Sequence, residues 1–334
     1  MKKFLSEPSC FLENDCHGYP STLPEMSEDQ YLKYWERHPS RNLWQHPSWA
    51  KFQESIGRKT WLLKGDHASA LVVRHPLPLG FCWLEIPRGP LFASSKTGEA
   101  LLGQVTDLAK SENAIFVRLS PCEELKIKNL KFKIAKHDHH PQTTLNLDLS
   151  LSEEDLLKQM KPKGRYNIKV AEKSGVTIRE NQGADPFYDL LIKTTGRDGF
   201  SAHPKAYYEK MLQALQPHVQ LLMAGKDGKA IASGIFVYLD QAGTYYYGAS
   251  DHEYRNLMAP YLLQWEAIKE AKRHGCKTYD FLGIAPEGAQ NHPWAGVTEF
   301  KKKFGGTVVN YPQAKELVVR PVWYRVYRLY KKLR

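Results

Sequence analysis

The chain has 334 residues, which at ordinary domain sizes makes about two domains. Its 42% apolar and 12% aromatic residues provide for packed cores and exclude a disordered, collagenous or disulfide-stapled class. Lys+Arg number 47 against 36 Asp+Glu, a formal net charge of +11, which points to an anionic partner: nucleic acid, an anionic membrane face or a phosphorylated small substrate.

Residues 1–45 are polar and irregular. His46–Ile56 places Trp49, Phe52 and Ile56 at helical spacing. Strand-like runs begin at Trp61, Ala70 and Phe81, and Pro87-Arg88-Gly89-Pro90 reads as a turn. A helix is expected over 97–110, then strands from Ala114, Lys131 and Thr143. Ser152 with Asp155 caps a further helix, and a basic stretch opens at Lys161. A strand from Val176, helices over 185–196 and 204–216, and strands over 219–225, 230–240 and 243–250 follow, the last two joined by Gln241-Ala242 as a hairpin. A long helix from Ala259 to His274 stops at Gly275, TYDFLGI is a short buried strand, and another helix leads to Gly305-Gly306. This order of elements makes two successive α/β halves of mixed strand and helix.

No stretch reaches the ~20 apolar residues of a bilayer span. The opening MKKFLSEPSC has a basic pair but no apolar core, so no signal peptide is expected. Cys10, Cys16, Cys82, Cys122 and Cys276 are odd in number and scattered, which fits a reducing, cytoplasmic compartment. His137-Asp138-His139-His140 has the composition of a metal cluster, but neighbours on one short segment do not all converge on one ion, so no metal is expected there. Cys10 and Cys16-His17 are weaker still.

Three blocks occur in order: Met160-Lys161-Pro162-Lys163-Gly164-Arg165-Tyr166-Asn167 running on to Val176; Tyr246-Tyr247-Gly248-Ala249-Ser250 with Tyr254-Arg255 and Ala259-Pro260-Tyr261; and Tyr279-Asp280-Phe281-Leu282-Gly283-Ile284 followed by Phe300-Lys301 and Phe304-Gly305-Gly306. Their order and spacing over 146–312 resemble the FemABX family of peptidoglycan-bridge aminoacyltransferases. Pro47-Ser48-Trp49 and Arg88-Gly89-Pro90 extend the likeness more loosely into the first half. The resemblance implies two tandem acyl-CoA N-acyltransferase (GNAT)-like domains: 1–145 plus 313–334, on the precursor side, and 146–312, on the catalytic and tRNA side. Without sustained heptads the chain is similar to the compact, FemX-like form. The implied partners are an aminoacyl-tRNA and a nucleotide- or lipid-linked peptidoglycan precursor. A monomer is expected, in contact with the inner membrane face.

The implied reaction is aminolysis of an activated ester, which needs positioning, proton transfer and oxyanion stabilisation, and no metal or organic cofactor. The resemblance places an assisting lysine at Lys301, after Phe300; the plainer reading of Lys301-Lys302-Lys303 is a solvated basic face. It also places Thr195 and Arg197 at the nucleotide-sugar end of the precursor, where arginine's planar fork suits phosphate oxygens. Arg197 reads equally as a cation at a helix C-terminus. The chain departs from the family at Ser201, where a tyrosine is frequent. Alternation puts Tyr245 and Tyr247 on one strand face and Tyr246 on the other; Tyr247 is the implied precursor contact, and Lys51 a second phosphate ligand. The stretch with Lys161, Lys163, Arg165 and Lys169, with Tyr166 among them, suits a tRNA phosphate backbone, or is a solvated helix face. From Arg320 the tail interleaves aromatic and basic residues, as an interfacial helix or as one docked on the first domain.

Two other functions compete. An acyl-CoA-dependent N-acyltransferase shares the fold, but needs backbone N–H groups at a glycine-rich turn before the long helix. Here Arg255–Pro260 contains no glycine, and Pro260 has no N–H. A non-catalytic basic RNA-binding protein would suit the charge, but no RNA-binding motif is visible.

Overall fold

β-Branched and aromatic runs between glycine, proline and asparagine turns form fourteen strands among the described residues. The computed structural model describes residues 27–127, 129–181, 183–198, 201–289 and 292–333, without the side chains of 197, 198 and 333. In chain order the elements are α1 (Glu28–Arg37), α2 (Pro47–Ser55), β1 (Thr60–Gly65), β2 (Ala68–Pro76), β3 (Cys82–Ile86), β4 (Leu91–Phe92), α3 (Ser95–Ser111), β5 (Ala114–Leu119), β6 (Phe132–Ile134) and β7 (Thr143–Asp148). There follow α4 (Glu153–Gln159), α5 (Pro162–Lys173), β8 (Thr177–Glu180), α6 (Asp185–Asp198), α7 (Lys205–Ala214), β9 (Val219–Lys226), β10 (Lys229–Leu239) and β11 (Ala242–Ser250). The chain continues with α8 (Ala259–Arg273), β12 (Thr278–Gly283), α9 (Ala295–Lys301), β13 (Thr307–Asn310), β14 (Lys315–Val318) and α10 (Pro321–Leu333). Cys10 and Cys16-His17 lie outside the described residues.

Two sheets result. The first runs β1-β2-β3-β5-β14-β6 with β4 beside β2; the second runs β13-β7-β12-β11-β10-β9-β8. Each contains one parallel pair, β3 with β5 and β11 with β12, among antiparallel neighbours. A helix bridges each parallel pair: α3 between β3 and β5, α8 between β11 and β12. On the far side of each pair an antiparallel strand completes the sheet, β14 on β5 and β7 on β12. The same plan therefore occurs twice, and the C-terminal strand completes the N-terminal sheet.

Three large apolar cores bind these layers, and a small fourth one seats α10 through Trp83, Ile115, Phe116 and Tyr324. Leu101, Leu102 and Val105 of α3 pack on Val72, Leu84 and Val117 of the first sheet. Ile168 of α5 and Leu262, Trp265 and Ile268 of α8 pack on Phe236 and Tyr238 of the second. Between the sheets, Tyr31 and Trp35 of α1 and Phe52 of α2 meet Phe187, Tyr208 and Val237. α1 corrects the irregular reading of 1–45. Ser27 caps it by accepting from the Gln30 N–H, and Tyr31 and Trp35, four residues apart, are its buried stripe. Only two of its ten residues are fully buried, which made the pattern easy to miss.

The three tyrosines of β11 also depart from simple alternation. Ile235 pairs with Tyr247 but Phe236 with Tyr245, so Tyr246 is the extra residue of a β-bulge. Tyr246 and Tyr247 both pack into the core between the sheets, with ring centroids 5.0 Å apart, while Tyr245 faces Phe236 and Phe281 on the other side.

Two backbone approaches depend on missing side chains. A Cβ on Gly89 would stand 2.7 Å from the Gln45 side chain, which bonds Pro87 and Leu71. A Cβ on Gly164 would stand 2.6 Å from the Lys303 carbonyl, to which the Lys161 N–H also donates at 3.0 Å. Gly164→Ala is expected to cost roughly 1–3 kcal/mol in urea unfolding through overpacking. Gly103→Ala, in open space on α3, should instead be neutral or gain up to about 1 kcal/mol.

Candidate active site

β12 ends in a bulge that shapes the site. Tyr279 and Phe281 are buried in the core under the second sheet, and pairing with β7 slips between Asp280 and Gly283. Leu282 takes up the slip at φ +56°, and its N–H donates to Asp280 Oδ1 at 2.7 Å. At the exit of the bulge the Gly283 carbonyl accepts from Lys301 Nζ at 2.8 Å. Lys301 is the last residue of α9, which is held against this exit by Thr298: its Oγ1 accepts from the Ala285 N–H at 2.8 Å. The Tyr245 ring lies 5.7 Å from Lys301 Nζ.

Lys301 is only 7% exposed, so it is not part of a solvated basic face. Burial lowers its pKa to about 8, against the opposing field of Asp280. Burial likewise raises the Asp280 carboxyl to about 6, against the Leu282 N–H, Arg88 and Lys301. The Asn146 amide, oriented to satisfy both its ends, donates to Asp280 Oδ1 at 3.0 Å. Arg88, from the turn after β3, donates to the Pro141 carbonyl at 2.6 Å and stacks 3.8 Å from the centroid of Tyr311. A buried cation and a buried anion thus flank the bulge at the end of β12, ionised together between pH about 6 and about 8.

The other predicted residues fall around this centre. Phe300 precedes Lys301 and packs on Tyr261 and Phe304. Tyr247 lies two residues along β11 from Tyr245, roughly 7 Å of strand, and its hydroxyl is 3.4 Å from that of Tyr207 on α7. Thr195 is buried on α6 and donates to the Ile192 carbonyl of its own helix at 3.1 Å. Arg197 belongs to α6, but its side chain lies outside the described residues. Lys51 is on the outer face of α2, 2.7 Å from Glu28 Oε1. Lys161, Lys163 and Lys169 are exposed on α5 with Tyr166. Arg165 is engaged structurally: its guanidinium donates to the carbonyls of Leu157, Lys158 and Met160, closing the C-terminus of α4.

Asp280, Asn146, Arg88 and Tyr311 were not singled out from the sequence as site residues. Asp280 and Arg88 stood inside conspicuous blocks, but only the fold brings Asp280 into the fields of both Lys301 and Arg88. The histidine run also gains a place. His139 Nδ1 and His140 Nε2 lie 3.3 and 3.5 Å from one oxygen of Glu85, and His75 Nε2 lies 2.8 Å from the other. Burial alone would raise Glu85, yet these three rings hold it well below the usual carboxylate range. Two neighbours of the run do converge on one group, a carboxylate. Among the described residues no set of His, Cys, Asp and Glu is arranged to hold a metal ion.

A profile of the FemAB family matches residues 26–145, 135–229 and 223–332, which is nearly the whole chain. The chain belongs to the FemAB family. Among FemAB relatives, proteins named lipid II:glycine glycyltransferase from Staphylococcus saprophyticus and Staphylococcus aureus are 20% and 21% identical, covering 85% of this chain and 89% of theirs. The crystal structure of FemX superposes with a TM-score of 0.81 at 18% identity, covering 90% of this chain and 98% of that one. A tandem GNAT protein from the clavulanic acid pathway follows at a TM-score of 0.51 and 11% identity, over 88% and 96%. The FemAB fold is therefore two GNAT-like sheets, as the sequence blocks implied.

The buried lysine makes stability depend on pH with a defined sign. The folded state releases the Lys301 proton near pH 8 and the unfolded chain near 10.5, so between them the unfolded state binds more protons and wild-type stability rises with pH. Lys301→Met should be more stable than wild type at pH 7, by up to about 3 kcal/mol. That advantage should shrink through this window in urea titrations at stepped pH.

Proposed function

We propose that the protein is an aminoacyltransferase of peptidoglycan bridge formation. It takes an amino acid from an aminoacyl-tRNA and attaches it to the side-chain amine of the stem peptide on a precursor at the inner membrane face. The observation that carries this reading is the FemAB match over almost the whole chain, together with a buried lysine bonded to the end of β12. The names of the staphylococcal relatives make a lipid-linked precursor and glycine the first combination to test.

In this scheme the neutral acceptor amine attacks the ester carbonyl of the aminoacyl-tRNA. A C–N bond forms, the carbonyl oxygen becomes an oxyanion, and the C–O bond to the ribose then breaks. The amine's proton is finally carried by the ribose hydroxyl. The Lys301 ammonium, shielded from water, stabilises the oxyanion, and with a pKa near 8 it is suited to hand a proton to the departing ribose oxygen and be restored by the one the amine releases, so that the net transfer is from amine to ribose. Asp280 and the Gly283 carbonyl keep that ammonium in place. The proposed division of labour sets 1–145 plus 313–334 on the precursor side and 146–312 on the catalytic and tRNA side. Thr195, Arg197, Tyr247 and Phe300 are the proposed precursor-binding residues, with Lys51 as a further phosphate ligand, and Lys161, Lys163 and Lys169 are the proposed contacts to tRNA phosphates. Arg165 contributes there by holding α4 and α5 together. The acyl-CoA alternative is disfavoured by the start of α8, where Pro260 in the first turn has no N–H for a pyrophosphate.

Purified protein should transfer a labelled amino acid from charged tRNA to a stem-pentapeptide precursor. Activity with acyl-CoA, and none with a full set of charged tRNAs, would refute the reading. Lys301→Ala should lower kcat roughly 10²–10³-fold, the usual effect of losing one oxyanion partner, with precursor affinity little changed. Lys163→Glu with Lys169→Glu should weaken tRNA binding and flatten its logarithmic salt dependence by about 0.7–0.9 for each phosphate that is no longer neutralised.

A further inference from the structure

α10 has two apolar sides, and only one of them is used by the fold. Its inner side is docked: Tyr324 packs edge-on to Phe116 at 5.6 Å and donates to Glu316, and Tyr327 lies 5.1 Å from the same ring. Successive residues turn by about 100°, which sets Val322, Val326 and Leu329 together on the opposite side. They are 70%, 50% and 60% exposed. A second element adds to this surface. The turn between β2 and β3 carries Leu79 at its tip, 83% exposed and held at φ +61°, and Phe81 from the same turn packs 4.4 Å from Trp323 of α10. The turn is thus seated on the helix through Phe81 and the partly exposed Trp323, and Leu79 adds an exposed aliphatic side chain from a separate element.

The charge around it has one sign. From Leu317 to Arg334 there are six Lys/Arg residues and no Asp or Glu. Arg320 and Arg328 are engaged with Asn113 and Tyr324, while Arg325, Lys331 and Lys332 are exposed. Aliphatic side chains projecting between exposed cations match a bilayer surface that offers acyl chains beneath anionic headgroups. No helix among the described residues is long and apolar enough to cross a membrane, so this surface would lie on a bilayer rather than span it.

We propose that the outer side of α10, together with the Leu79 turn, docks the protein on an anionic lipid bilayer. This deepens the proposed use of a membrane-borne precursor, but vesicle binding is measured without substrate, so failure of either reading leaves the other standing or falling on its own assay. The experiment is co-sedimentation of the full chain with vesicles of phosphatidylcholine alone and of phosphatidylcholine mixed with phosphatidylglycerol, at low and high salt. Binding to the anionic vesicles should be roughly tenfold tighter or more, and should weaken with salt. Val326→Glu with Leu329→Glu should abolish it, and Leu79→Ser, in a separate element, should weaken it severalfold. All variants should keep the wild-type circular dichroism and the transfer activity on a soluble precursor. Arg325→Glu with Lys332→Glu should remove the preference for anionic vesicles. Absence of vesicle binding by wild type, or equal binding by the Val326/Leu329 variant, would overturn the proposal. So would a concentration-dependent dimer dispersed by that variant while vesicles are ignored, since the face would then join two copies.

Discussion

A lysine ammonium kept away from water is the constraint around which the second sheet is organised. Nothing in apolar packing favours it: burial pushes the Lys301 pKa down and the Asp280 pKa up, and both shifts register a penalty for charge in a dry place. The fold supports this with fixed dipoles, the Gly283 carbonyl toward the cation and the Leu282 N–H and Asn146 amide toward the anion. A preorganised charge of this kind costs stability at rest and needs little rearrangement when negative charge develops on a bound ester.

The supports come from distant parts of the sequence. Asn146 is on β7, Asp280 on β12, Lys301 on α9, and Arg88 approaches from the first sheet. Arg88 keeps its orientation through the Pro141 carbonyl, just before β7, and the Tyr311 ring, just after β13. The buried Gln45 amide steadies the same turn by bonding Pro87 and seating Gly89. The two GNAT-like units are thus joined by specific polar contacts as well as by the apolar core of α1, α2, α6 and α7.

Local pattern made much of the fold legible. Alternating runs such as that from Thr143 and the capped segment after Ser152 became the expected elements because their apolar faces and caps agree with the final packing. α1 was hidden because its fully buried residues are only Tyr31 and Trp35, in a short segment that also carries five charged side chains. The bulge at Tyr246 was hidden because strand periodicity contains no signal for an inserted residue unless a glycine or a mispaired neighbour marks it. At the site, Lys301 was visible in a motif, but its burial was not, since the Lys301-Lys302-Lys303 run looks solvated when read alone. Likewise Glu85 has no histidine nearer in sequence than His75, and His139 and His140 reach it only through the seam between the sheets.

The seating of Gly164 on the Lys303 carbonyl has a mechanical consequence. With no side chain between them, and with the Lys161 N–H bonded to the same carbonyl, the start of α5 and the turn that follows Lys301 behave as one rigid piece. Any force applied along the exposed lysines of α5 reaches the ammonium two residues away from that carbonyl with little slack.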